Sequence, residues 1–184
     1  MLLQHRSHGQ AYSLTDLGAT LGPASYAQGI NNQGQVVGYW STSSGIHAFL
    51  YESGTFKDLG FLGGTNSYAL TINQSGQVAG FGETEDGLRA FLYQNGELTP
   101  LDFLIPSDSG WQLMVAGGIN DAGQIVGQGS YQGHIRAFLL TPVSSTNAQA
   151  KPRTRAMQRI RMQERNSERV RHTSAGWVIE ERPH

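Results

Sequence analysis

The sequence predicts an all-β fold: a β-propeller-like array of three four-stranded repeats with a basic C-terminal tail. Three observations carry this expectation. The segment Ile30-Asn31-Asn32-Gln33-Gly34-Gln35-Val36-Val37-Gly38 returns as Ile72-Asn73-Gln74-Ser75-Gly76-Gln77-Val78-Ala79-Gly80 and again as Ile119-Asn120-Asp121-Ala122-Gly123-Gln124-Ile125-Val126-Gly127. A second motif keeps step with it, His47-Ala48-Phe49-Leu50-Tyr51 recurring as Arg89-Ala90-Phe91-Leu92-Tyr93 and Arg136-Ala137-Phe138-Leu139-Leu140. Composition agrees, because 24 glycines and only 15% charged residues suit short strands and tight turns better than helices. A period of about 40–45 residues is that of stacked or circular repeat architectures.

Each repeat reads as four short strands. In the first, strand a is near Ser25–Ile30, b covers residues 35–40, c residues 46–51 and d residues 55–59. Between a and b, Asn-x-x-Gly supplies a turn with glycine where a positive φ is needed. Between c and d, Glu52-Ser53-Gly54 and Gln94-Asn95-Gly96 give hairpins, the second with an Asn-Gly signal. Strands b and c carry apolar residues at consecutive positions, so the sheets are expected to be covered on both faces. The b–c loops, residues 41–45, 83–87 and 129–133, are polar and variable and read as exposed tips.

The chain starts out of phase. Residues 12–18 (Tyr-Ser-Leu-Thr-Asp-Leu-Gly) align with 54–60, a d strand without its own a, b and c, while the third repeat stops after strand c. The expected domain therefore spans residues 12–142, with repeats at 19–60, 61–102 and 103–142 and strand 12–18 completing the last blade. That closure could occur within one chain or between two chains joined head to tail as a six-bladed homodimeric ring. A β-trefoil of three repeats, or a fragment of a longer array, are the alternatives. Residues 1–11 read as disordered, and 143–184 as a linker and a basic, partly helical or disordered tail.

Charge is split unevenly. Through Ala150 there are four basic residues against ten acidic, and from Lys151 onward nine against four, so a body near −6 carries a tail near +5. Nucleic acid is therefore unlikely as a partner except through the tail. With no cysteine, disulfides, thiolate metal sites and thiol catalysis are excluded. No apolar run approaches the ~20 residues of a membrane span. Residues 1–10 lack the apolar stretch of a secretory signal, which implies a cytoplasmic chain or a start further upstream.

The elements Asp16-Leu17-Gly18, Tyr26-Ala27-x-Gly29-Ile30-Asn31, Gly34-Gln35-Val36-Val37-Gly38 and the triplet His47-Ala48-Phe49 resemble the HAF-repeat family, bacterial proteins described as extracellular repeat proteins. Two departures stand out: His47 becomes Arg89 and Arg136 in later copies, and the third repeat replaces the Asp-Leu-Gly-x-Leu-Gly-Gly pattern by residues 101–110 with an insertion. The resemblance implies an extracellular or cell-surface location and brings no catalytic residue.

Candidate site residues follow from register. His47, Arg89 and Arg136 share one repeat position, where three cations could converge on an anion or each pair locally. Tyr39, Trp40 and Trp111 are not matched across all copies and are candidates for stacking on a sugar, whereas Phe49, Phe91 and Phe138 read as core. Asn31, Asn73 and Asn120 read as turn residues rather than ligands. Glu83, Glu85 and Asp86 read as a solvated acidic tip rather than a calcium site. Nucleophile-elbow, phosphate-loop, dinucleotide and zinc-protease motifs are absent, and no catalytic residue, metal or cofactor is expected. The favoured function is a non-enzymatic extracellular or surface module for a protein or glycan ligand. The alternative is a fragment of an extracellular carbohydrate-active enzyme with a propeller domain.

Overall fold

The structure is a computed structural model that describes residues 10–18 and 24–143. Among these residues every repeat forms its own antiparallel sheet. The first holds β1 (Ser25–Ile30), β2 (Val36–Ser41), β3 (Ile46–Glu52) and β4 (Thr55–Asp58) in sequence order. The second holds β5 (Ser67–Ile72), β6 (Val78–Thr84), β7 (Gly87–Gln94) and β8 (Glu97–Pro100). In the third, β9 (Trp111–Ile119), β10 (Ile125–Tyr131) and β11 (His134–Leu140) make three strands. A 3-10 turn, Leu101–Phe103, opens the longer link between the second and third sheets and buries Leu101.

The repeated motif explains each sheet's first hairpin. Asn73 Oδ1 accepts hydrogen bonds from the backbone N–H groups of Ser75 and Gln77, which closes the β5–β6 turn. Gly76 sits in that turn at φ +74, a conformation L side chains rarely adopt. Gly80, which ends the motif, has a different reason to be glycine. A register shift between Ala69 and Thr71 bulges β5, and a Cβ on Gly80 would lie 2.0 Å from the Tyr68 carbonyl oxygen. The β3–β4 and β7–β8 hairpins turn on Ser53-Gly54 and Asn95-Gly96, with positive φ at both positions, as primed turns require.

The sheets stack in chain order. β5 packs on β1, β2 and β3, and β9 packs on β5, β6 and β7. Between the first two sheets lies a core that includes Val37, Ala48, Leu50, Ile72, Val78, Phe91 and Leu98. Between the second and third lies another that includes Ala79, Ala90, Leu92, Leu101, Leu113, Ile125 and Phe138.

A polar ladder runs alongside this core. Asn31 Nδ2 donates to the Asn73 carbonyl at 3.0 Å, and Asn73 Nδ2 donates to the Asn120 carbonyl at 3.0 Å. Each asparagine also donates to the motif glutamine of its own repeat: Asn31 to Gln35, Asn73 to Gln77 and Asn120 to Gln124. The glutamines in turn reach the far end of the third strand, at Glu52, at Gln94 and, just beyond β11, at Thr141. A second rung joins the Asn32 N–H to Gln74 Oε1 and the Gln74 N–H to Asp121 Oδ1.

The all-β expectation holds, with two corrections. The sheets are separate and none is closed, unlike the barrel a β-trefoil needs. Within this one chain residues 12–18 do not complete the third sheet: they form no strand, and Leu14 is 98% exposed. The reason is position, since Gly18 lies against Ser25 at the first sheet while β11 is at the other end of the stack. The expectations for residues 1–9, 19–23 and 144–184, including the basic tail, fall outside the described residues.

Two substitutions test this fold. Asn73→Ala strips partners from the Asn120 carbonyl, Gln77 and two turn N–H groups, so a loss of about 2–4 kcal/mol is expected in urea unfolding, against about 1 kcal/mol for exposed Asn120→Ala. Gly80→Ala forces a backbone shift against Tyr68, and a loss of about 3 kcal/mol or more is expected in the same assay.

Candidate functional site

The shared cation position is where register and chemistry meet. His47 is buried on β3, with Nδ1 2.9 Å from Asp58 Oδ2. Its ring meets Trp40 and Phe61 edge-on, at 5.5 and 5.6 Å between centroids. Asp58 ends β4, and its other oxygen accepts the Gly60 N–H at 2.8 Å. One carboxylate therefore clamps the third strand and shapes the turn that leaves the sheet.

Arg89 occupies the same register on β7 and does the same work with different atoms. Its Nε lies 3.5 Å from Asp102 Oδ2, and its Nη1 donates to the Leu88 carbonyl at 2.8 Å. The Gln112 amide, with its oxygen toward Arg89, accepts from Nη2 at 2.6 Å. Asp102 also holds the third sheet, accepting the Leu113 N–H at 3.0 Å. Arg136 differs: it is exposed on β11, with its guanidinium 5.4 Å from the centre of the Tyr131 ring. Of the two readings of this register position, local pairing describes His47 and Arg89. His47 and Arg89 are committed to carboxylates of the scaffold, and Arg136 alone presents its charge at the surface.

The aromatic candidates are engaged as well. Tyr39 stacks on Tyr26 at 5.0 Å and meets Tyr68 of the next sheet edge-on at 4.9 Å. Tyr68 then stacks on Phe81 at 4.6 Å. Burial, then the charge of Glu83 and the Tyr39 phenol, push the Tyr68 pKa above its ordinary value. Trp40 is half-buried against His47 and Phe49. Trp111 is half-buried against Tyr131 and Phe138. These half-buried rings tie strands to one another.

Glu83 accepts from Asn66 Nδ2 at 2.9 Å, so it braces the link between the first two sheets. Among the described residues no group of three or more His, Asp or Glu is placed to hold a metal ion. No described helix is long and apolar enough to cross a membrane.

What remains open to a partner are the tips and the two end faces. At the leading end Ile30 is 69% exposed, while its counterpart Ile72 in the second sheet is 7% exposed. At the trailing end Leu139 is 60% exposed, while Leu50 and Leu92 at the same repeat position are 8% and 6% exposed. Val126 and Ile135 are also exposed beside a hollow of about 360 Å³ lined by Val115, Gly117, Gly127, Gln128 and Ala137. Sequence reasoning missed the carboxylate partners of His47 and Arg89, although the Asp of Asp-Leu-Gly, eleven residues after His47, was the available signal.

Compared with family models, curated proteins and solved structures, the chain finds no match in any of the three.

Register decides how the two arginines should behave. Arg89→Ala removes the guanidinium from Asp102 and Gln112, and a loss of about 2 kcal/mol is expected in chemical unfolding of the monomer. Arg136→Ala is expected to change it by under about 0.5 kcal/mol. Equal costs would mean that the shared register does not set the role.

Proposed function

We propose that this chain is a non-enzymatic interaction module, an open propeller-like array that acts at the cell surface or outside the cell. The observation that carries this reading is how the side chains divide. Residues repeated in register are consumed by the scaffold, as the pairs His47–Asp58 and Arg89–Asp102 and the Asn31–Asn73–Asn120 ladder illustrate. The tips between the second and third strands differ from sheet to sheet: Thr42-Ser43-Ser44-Gly45, Glu85-Asp86-Gly87 and Gln132-Gly133. Function on a repeated scaffold resides where the copies differ.

A protein partner fits better than a glycan. Tyr39, Trp40 and Trp111, the rings a sugar would stack on, already lie against other rings of the chain. The packing of β1 on β5 and of β5 on β9 supports the propeller-like arrangement. The extracellular location rests on the resemblance of the repeats to the HAF-repeat family.

The purified chain would be screened against an array of secreted and surface proteins, a glycan array, and a panel of glycosidase and esterase substrates. Binding to a protein is expected. It should weaken at least tenfold when Glu85 and Asp86 are changed to Ser, with the melting temperature unchanged within about 2 °C. Glycan binding alone would replace the protein partner by a sugar, and turnover of any substrate would overturn the reading.

A further inference from the structure

The described residues hold two unmatched halves of one design. β4 pairs with β3 and β8 pairs with β7, but β11 has no fourth strand beyond it among the described residues. At the other end, Ser13-Leu14-Thr15-Asp16-Leu17-Gly18 has the pattern of Thr55-Phe56-Lys57-Asp58-Leu59-Gly60 without a sheet to join. The likeness extends to the exit turn. Asp16 Oδ1 accepts the Gly18 N–H at 2.8 Å, as Asp58 Oδ1 accepts that of Gly60 at 2.8 Å. Gly18 lies against Ser25 Oγ, as Gly60 is bonded through its carbonyl to Ser67 Oγ. The Asp16–Gly18 turn thus meets the first sheet as the Asp58–Gly60 turn meets the second.

We propose that the chain docks head to tail on a second copy of itself, residues 13–16 of one copy adding to β11 of the other as its missing fourth strand. This rests on the repeat-array reading above, though not on any partner at the tips. The occupant is named by continuity, since both internal interfaces already have this form. In the first sheet Tyr51 pairs with Phe56 and in the second Tyr93 pairs with Leu98. The same register sets Leu14 opposite Leu140 and Asp16 opposite Phe138. Asp16 then meets Arg136 as Asp58 meets His47, giving the exposed guanidinium the carboxylate its two counterparts have.

Three further contacts follow from the same superposition of repeats. Asn120 Nδ2 would donate to the Asn31 carbonyl of the second copy, which extends the ladder by one rung. The exposed Ile30 face would cover Val126 and Leu139, burying the residues that are buried at the internal positions. Tyr26, which is exposed, would enter the hollow beside Gln128 and Ile135, because Tyr68 lies on Tyr39 at the equivalent joint. A repeated head-to-tail contact closes into a ring or runs on as a filament. Two copies bring six sheets together and satisfy both ends.

The chain has no cysteine, so cross-linking can be read cleanly. Leu14→Cys and Leu140→Cys would be prepared separately, mixed and oxidised. Opposed strand positions lie within reach of a disulfide. The expected product is a disulfide heterodimer of the two variants, at least tenfold above the self-linked product of either alone. Dominant self-linking of either variant would overturn the proposal. Because Leu140→Cys could disturb its own sheet, light scattering of charge variants gives a second arm. The wild-type chain should have twice the 20.0 kDa monomer mass. Asp16→Arg or Arg136→Asp alone should raise the dissociation constant at least tenfold, and the two combined should restore it. A monomer at every concentration, or no rescue, would overturn the docking while leaving partner binding at the tips intact.

Discussion

One asparagine per repeat, buried in the first two sheets, is the constraint on which the array depends. Asn73 uses both lone pairs of its oxygen on its own turn and divides its two amide hydrogens between Gln77 and the next repeat. A buried amide left partly unpaired is costly, so the turn, the glutamine and the neighbouring sheet must be in place together. This couples a local feature, the hairpin, to a long-range one, the order of the sheets. It also explains why the glutamine of the motif recurs, since each Gln joins its asparagine to the end of the third strand or just past it. Apolar packing supplies most of the driving force between sheets, but it is tolerant of sliding, whereas the ladder fixes register.

Much of this was legible because it is periodic. Gly34, Gly76 and Gly123 announced the first turn of each sheet, and Asn95-Gly96 announced a hairpin that the backbone confirms with positive φ at both residues. The apolar positions of strands b and c placed both internal cores. Sequence gave turn chemistry for Asn31 and Asn73 but no sign that their amides cross to the next repeat, because a hydrogen bond spanning 42 residues leaves no local signature. Likewise His47 and Arg89 were visible as one register position, while the carboxylate of Arg89 was not, since Asp102 lies within a 3-10 turn that breaks the repeat.

The third sheet, three-stranded among the described residues, shows where repeat logic stops. Residues 12–18 match a d strand in pattern, and their turn at Asp16-Gly18 is built as one. Pattern specifies what a segment can pair with and says nothing of where the chain can deliver it. The first two sheets lie between that segment and the sheet that holds β11, and the mismatch leaves apolar side chains exposed at both ends. Exposed edges and faces of this kind are what interacting proteins present. The same framework that absorbs the conserved-looking side chains therefore leaves tips and ends for recognition.

The claim that the asparagine ladder ties successive sheets together is tested most directly by hydrogen exchange of the Asn73 side-chain amide, followed by NMR. Both of its hydrogens are bonded and the residue is buried, so exchange at least ~1,000-fold slower than for an exposed side-chain amide such as that of Gln132 is expected. Exchange at the rate of a free amide would mean that the rung to Asn120 is not held in solution, and the account of how the sheets keep their order would fail.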